Sequence, residues 1–223
     1  MGLGVFLRLG TPRVECSVCA GRFRRFLKYG VVSRRYALCP KCGALERHRW
    51  LSLVLRERGP FEGRARILHI SPAECLEKML RSNDVFYVAA QLEPPADVCM
   101  DLERASFPDN SMDAVVCSHV LEHVFDDRAA LREIRRILKH EAPAFVMVPF
   151  DRGLDTTFED PTIKDPRERV RAFGQKDHVR RYGRDYVDRI SSVGFAVEVL
   201  KAPPDPKQGL QPSDEVLICR RVG

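Results

Sequence analysis

Residues 113–138 constrain the fold more than any other stretch of this chain. Ala114-Val115-Val116-Cys117 is a short apolar run with β-branched residues at its centre, followed by the polar pair Ser118-His119. Val120-Leu121-Glu122-His123-Val124 and the acidic pair Asp126-Asp127 come next. Beyond them Leu131, Ile134, Ile137 and Leu138 recur at helical spacing with charged residues between them. The pattern predicts a buried strand, a polar loop at its carboxyl end, and an amphipathic helix with acids near its start, where the helix dipole favours negative charge. Glu122 and His123 are read as the first residues of that helix, fixing its entry turn. In open α/β sheets, ligands collect at this end of the strands.

The same alternation continues on both sides. Ile67-Leu68-His69-Ile70 reads as a strand, and Ser71-Pro72-Ala73-Glu74 as the start of a helix running to about Ser82, with Ser71 as N-cap and Pro72 in the first turn. Val85 to Ala89 is a second strand, ending in Gln91-Leu92-Glu93. A short strand near Val98 leads to Asp101-Leu102, and Phe107-Pro108-Asp109-Asn110 is a turn. Ala144 to Val148 is a strand stopped by Pro149. A polar, Pro-punctuated excursion then runs from Asp151 to Tyr182. A helix from Asp185 to Val193 stops at Gly194. Phe195 to Leu200 and Val216 to Arg220 form a last strand pair joined by a Pro-rich loop. Strand and helix alternating in this way predict an α/β fold, with a mostly parallel sheet flanked by helices.

The cysteines define a second, smaller unit. Cys16, Cys19, Cys39 and Cys42 form two C-x-x-C knuckles with 19 residues between them. Tetrahedral zinc takes four soft ligands from two tight turns, so residues 1–45 read as a zinc ribbon with a structural ion, since four thiolates leave no open position. Pro40, Gly43 and Gly21 suit the bends. Two disulfides would use the same cysteines. However, Met1 to Leu9 shows no small-residue cleavage site, so the expectation is a cytoplasmic, reducing setting. Cys75, Cys99, Cys117 and Cys219 lie in or near apolar segments and read as buried free thiols. Residues 46–63 form a connecting helix that carries His48 on its surface, and residues 64–223 form the main domain.

Charge separates the two parts. Residues 1–58 hold 13 Lys/Arg against three Asp/Glu, a net of +10. The whole chain of 223 residues is +6, so the remainder is −4. Between the knuckles, basic residues interleave with Phe23, Phe26, Tyr29 and Tyr36, a composition suited to a nucleic-acid partner. The competing reading packs Phe23 and Phe26 into the ribbon core with the arginines in water. No apolar run approaches the roughly 20 residues of a membrane span, so no membrane partner is expected.

The run Asp101-Leu102, Phe107 to Asp113 and Ser118-His119-Val120-Leu121-Glu122-His123-Val124 resembles class I S-adenosylmethionine-dependent methyltransferases. Arg132 to Lys139 continues the match, as does Phe173 to Gly183, and together the resemblance covers about residues 64–221. It implies a Rossmann-like seven-stranded sheet with helices on both faces, and S-adenosylmethionine as cofactor. By position it implies cofactor-binding roles for His69, Ser71 and Glu74 in the first loop. Gln91 or Glu93 would take the ribose, Asp101 and Leu102 the adenine, and Ser118 and His119 would line the cleft near the sulfonium. The chain departs from the family in a first loop without glycine, in Gln91 where an acid usually stands, and in His140-Glu141-Ala142-Pro143 before the fifth strand.

Methyl transfer from a sulfonium is an in-line displacement that needs alignment, exclusion of water and sometimes a base. His178, oriented by Asp177, and His119 are the candidate bases. Arg180 and Arg181 are candidates for an anionic substrate. The expected function is methyl transfer to a small-molecule or glycan-type acceptor. The alternatives are an RNA-modifying methyltransferase docked through its basic ribbon, and a methyltransferase-like binding protein without catalysis.

Overall fold

In a computed structural model, residues 13–30, 33–61 and 63–222 are described; the stretch Met1 to Leu9 lies outside them. The chain forms two compact units. The first comprises residues 1–61, 73–84 and 199–216, and the second residues 62–72, 85–198 and 217–223.

The first unit opens with two short antiparallel pairs, β1 (Val14–Glu15) with β2 (Arg22–Phe23) and β3 (Leu27–Tyr29) with β4 (Arg34–Leu38). Helix α1 (Glu46–Arg58) follows. Its Arg49 is fully buried and organises the unit. Nη1 donates to the carbonyls of Ala37 (2.8 Å) and Ala44 (2.9 Å), Nε to Gln208 (2.6 Å) and Nη2 to Gly209 (3.1 Å), while the guanidinium stacks 3.9 Å over the Phe26 ring. Every donor group has a carbonyl, which is what makes a buried guanidinium tolerable. Gly209 is required: its φ is +63°, and a Cβ there would lie 2.9 Å from both Arg49 and Phe26. Phe26 is thus the ribbon's core, and Arg24 and Arg25 are exposed. His48, expected on the helix surface, is buried instead. Its Nδ1 accepts the Leu45 N–H at 3.3 Å, capping α1, and lies 3.5 Å from Cys75 Sγ. Cys75 belongs to α2 (Glu74–Arg81).

The expected cap of α2 is not formed. The residue before the helix is Ala73 in extended conformation, with no side-chain cap, and Ser71 takes a positive φ of 45°. The Ser71 N–H is already used by the Ala90 carbonyl at 2.7 Å, which prolongs strand pairing past the point where a helix would start.

The main sheet contains β5 (Arg66–Ile70), β6 (Phe86–Gln91), β7 (Val98–Cys99), β8 (Ala114–Ser118), β9 (Ala144–Met147), β12 (Phe195–Lys201) and β13 (Glu215–Arg221), in the order β12-β13-β9-β8-β5-β6-β7. Pairs β5/β6, β5/β8, β6/β7 and β8/β9 are parallel, while β13 runs antiparallel to β9. This is the seven-stranded Rossmann-like sheet expected. Buried Ile67, Leu68, Val115, Val116, Phe145 and Val146 fill its centre, as parallel strands covered on both faces demand. Helix α3 (Asp127–Ile137) is capped by Asp126, which accepts from the Ala129 N–H at 2.9 Å.

The excursion is more ordered than its composition suggests. It holds β10 (Phe158–Glu159), α4 (Pro166–Phe173) and β11 (Arg180–Arg181), with β10 antiparallel to β11, and is followed by α5 (Tyr186–Ser191). Asp165 caps α4 with Pro166 in its first turn, and Gly174 ends it in the left-handed conformation. Of the four scattered cysteines, Cys99 is exposed and the other three are buried.

Candidate active site and cysteine cluster

Strand order turns around at β5 and β8, which are neighbours in the sheet, so their carboxyl ends flank the crevice where α/β folds place ligands. At both ends a non-glycine residue is left-handed: Ser71 (φ +45°) and His119 (φ +57°). The His119 N–H still pairs with the Met147 carbonyl at 2.9 Å, so the ladder holds while the chain turns sharply. Such conformations cost energy and persist only where neighbours enforce them.

The residues singled out in the sequence separate into distinct environments. Ser71, Gln91, Glu93, Asp101, Ser118 and His119 lie at the carboxyl ends of β5, β6, β7 and β8 or just beyond them. Asp101 accepts the Glu103 N–H at 2.9 Å, so it fixes the turn that carries buried Leu102 while its carboxylate stays exposed. The Gln91 Nε2 donates to the Pro95 carbonyl at 2.5 Å, and Glu93 is exposed. His69 is different: it is 1% exposed, the Tyr87 hydroxyl lies 2.9 Å from its Nδ1, and burial pushes its pKa down to about 3. It is a neutral core histidine with no surface left for a cofactor. Glu74, at the first turn of α2, is fully exposed and ion-paired with Lys78, whose hydrogen bond and charge hold its carboxyl below the ordinary range.

His119 Nδ1 meets Glu122 Oε1 at 3.2 Å. Glu122 and His123 do not open the helix, which begins at Asp127; they sit in the turn before it. The reason is Arg180. Its side chain is 2% exposed and takes the carbonyls of Leu121, Val124 (2.7 Å) and Phe125 (2.7 Å), holding three oxygens toward one guanidinium instead of along a helix axis. Arg180 is therefore not free for an anionic substrate, and Arg181 pairs with Asp151. His178 is 6% exposed and reaches the same turn, with Val179 N–H on the Glu122 carbonyl at 2.9 Å. Burial pushes the His178 pKa down, partly offset by the charge of Glu122. Asp177 does not orient His178 directly. Its Oδ2 lies 3.5 Å from His123 Nδ1, and the His123 and His178 rings meet edge-to-face at 4.8 Å. The sequence reading underweighted Glu122 and His123 because their partner lies 55 residues away; the available signal was a buried-strand end followed by His-x-x-Glu-His.

Asp127, five residues after Glu122, is equally buried but fully paired. Arg189 binds it at 2.6 Å and 2.9 Å, Tyr182 donates at 2.7 Å, and Arg180 Nε lies 3.8 Å away. Burial alone would raise its pKa, but the Arg189 hydrogen bonds, the Arg180 charge and the Tyr182 hydroxyl outweigh it and hold the carboxyl below the ordinary range.

In the first unit the four knuckle cysteines converge. Sγ of Cys16 and Cys42 are 3.8 Å apart, and those of Cys19 and Cys39 3.7 Å. A tetrahedral ion with metal–sulfur bonds of about 2.3 Å sets sulfurs about 3.8 Å apart, so the residues fit zinc. Gly43 is left-handed at the second knuckle (φ +72°), whereas Ala20 rather than Gly21 takes that conformation at the first.

Residues 65–146 match the methyltransferase-domain family. That stretch is similar to a methyltransferase domain. The wider fold agrees with that likeness. The S-adenosylmethionine-dependent methyltransferase from Mesorhizobium loti is 17% identical, with a TM-score of 0.54 over 76% of this chain and 97% of that one. The cyclase SpnF shares the fold equally well, at 16% identity and a TM-score of 0.57 over 78% and 82% of the two chains, so the sheet alone does not dictate the reaction. An uncharacterized protein of Methanocaldococcus jannaschii is 45% identical over 51 residues, 23% of this chain; the match spans about a fifth of that protein (22%). Among the described residues no helix is long and apolar enough to cross a membrane.

Proposed function

We propose that the domain transfers a methyl group from S-adenosylmethionine to a small metabolite or sugar-containing acceptor. The observation that carries this reading is the pair of left-handed turns at Ser71 and His119, on adjacent strand ends of a methyltransferase-family sheet. Ser71 would lie against the cofactor's amino-acid portion, Gln91 or Glu93 on the ribose, Asp101 and Leu102 on the adenine, and Ser118 and His119 beside the sulfonium. A serine at φ +45° lets the backbone turn away as glycine would, so the missing glycines do not by themselves close the crevice. The excursion supports a small acceptor: it folds back on the turn after β8 and is pinned there by Arg180, a fixed wall suited to holding two reactants in line. In this reading His178 and His119 are the candidate bases; with a metal held by His178, only His119 would keep that role. The four cysteines would hold a structural zinc ion. Calorimetry tests the core of the reading: both S-adenosylmethionine and S-adenosylhomocysteine should bind, and Asp101→Asn should weaken both. Absence of heat at about millimolar ligand would sink it.

One observation favours RNA as acceptor. A groove of 540 Å³ in the first unit is lined by Arg13, Arg24, Arg25, Arg35 and Lys207, with the exposed ring of Tyr36 among them. Phosphate contacts there would make affinity for single-stranded RNA fall steeply with salt; no binding at low salt removes this reading.

A further inference from the structure

We propose that Glu122, His123 and His178 form a binding site for a divalent transition-metal ion, distinct from the cysteine cluster. Each offers one ligand atom, and the three atoms lie within 4.8 Å of one another. Nitrogen and oxygen ligands about 2.1 Å from an ion stand about 3.0–4.2 Å apart, so modest side-chain rotation closes the set.

Glu122 supplies the independent reason to expect a cation. Its side chain is 1% exposed; His119 takes Oε1, and among the described residues Oε2 is buried without a partner. A buried carboxylate left half-satisfied is costly. Asp127 shows how the same fold treats a buried acid when protein cations are meant to neutralise it: two arginines and a tyrosine surround it. Glu122 has imidazoles around it instead, those of His119, His123 and His178.

His123 is prepared as a ligand. His123 Nδ1 lies 3.2 Å from the Asp177 carbonyl, which can only accept, so Nδ1 carries the proton and Nε2 keeps its lone pair. The Asp177 carboxylate, 3.5 Å from the same Nδ1, completes the carboxylate–histidine arrangement that orients metal-binding rings. The two ligand-bearing segments are fixed to each other by Val179 N–H on the Glu122 carbonyl and by Arg180. Toward the metal, His119 acts only through Glu122, whose Oε1 it holds.

Two nitrogens and one carboxylate oxygen suit Zn²⁺, Mn²⁺, Fe²⁺ or Co²⁺ over Mg²⁺ or Ca²⁺, and three protein ligands leave positions open. His123 is 35% exposed, so solvent reaches the ion. The site lies four residues beyond Ser118, at the crevice end of β8. An acceptor hydroxyl bound at an open position would release its proton to solvent more readily, and its oxygen would then form the carbon–oxygen bond as the carbon–sulfur bond of the sulfonium breaks, the electron pair leaving on sulfur as the neutral thioether S-adenosylhomocysteine. That acceptor role rests on the methyl-transfer reading above; the metal site does not.

Manganese separates the two metal sites, because thiolates are poor ligands for it. Mn²⁺ titrated into the full chain, with zinc left on the cysteines and followed by electron paramagnetic resonance, should bind. His123→Ala, the most exposed ligand change, should weaken binding at least about tenfold with an unchanged melting temperature in the absence of added manganese. Glu122→Gln should do the same. The site is overturned if neither Mn²⁺ nor Co²⁺ binds wild type, or if His123→Ala binds as tightly as wild type. Cofactor calorimetry on zinc-loaded protein without added manganese is read separately. Manganese binding without cofactor binding keeps the site and sinks the methyl-transfer reading, whereas the reverse sinks the site alone.

Discussion

Asp127→Asn should lower stability by about 3 kcal/mol. Asparagine keeps the volume and one acceptor oxygen but deletes the charge that faces Arg189, Arg180 and Tyr182 at a site 1% exposed. Breaking one side of a buried pair costs about 3–5 kcal/mol, because the partner charge is stranded. The low end applies because Glu159 also accepts from both arginines, Arg180 at 3.1 Å and Arg189 at 2.8 Å, and still neutralises part of the cluster. For a chain of this size about 3 kcal/mol corresponds to a fall of about 6–12 °C in melting temperature. Acid supplies an internal control. The Asp127 carboxyl is held below its ordinary range in the folded protein, so its contribution is complete above the unfolded carboxylate pKa of about 4 and disappears as pH falls through the folded value. Melting curves of wild type and variant should therefore converge as the solution is acidified. Glu159, 39% exposed, should cost under about 1 kcal/mol as Gln. A loss below about 1 kcal/mol for Asp127→Asn at neutral pH, or a difference that ignores pH, would refute this account.

Chelation, or Cys39→Ser, should unfold the ribbon together with the segment around residues 205–210 that packs on Arg49; amide hydrogen exchange there checks it. Gly183→Ala should cost about 1–3 kcal/mol in thermal denaturation, since its Cβ would sit 2.5 Å from the Thr156 carbonyl carbon, a backbone atom that cannot swing aside. Asp214 is pushed up to about 6 by burial and by Glu46, against the pull of Arg47 and Arg49. An acid whose folded pKa lies above its unfolded one favours folding at low pH and loses that advantage as pH rises, here between about 4 and about 6. Asp214→Asn should therefore gain about 1–2 kcal/mol on wild type at pH 7 and little at pH 4, by chemical denaturation at the two pH values.

Strand, loop and helix from Ala114 to Ile137 were legible because apolar periodicity and the Asp126 cap agree with the tertiary structure. So was the sheet, whose strands are short apolar runs bounded by polar turns. Helix α4 was not: its signals are only a capping aspartate, a first-turn proline and a terminal glycine, and Val170 is 48% exposed, so no apolar stripe marks it. The start of α2 was misplaced because a Ser-Pro pair favours a helix locally, while the Ser71 N–H is claimed by a neighbouring strand. Glu122 and His123 looked like helix residues because nothing local reveals that Arg180, 58 residues after Glu122, withdraws the carbonyls around them. The metal-binding thiols were legible from spacing alone; the Glu122–His123–His178 cluster needed the excursion to be folded.

Arg49 gives the amino-terminal ribbon a debt to a distant part of the chain. Two of the carbonyls that satisfy its guanidinium come from residues 159 and 160 positions later. A ribbon cut out as a fragment would keep the cysteines yet strand a cation in its interior, so it should not behave as a portable cassette. During synthesis this region, although translated early, would wait for almost the entire polypeptide before its interior could close.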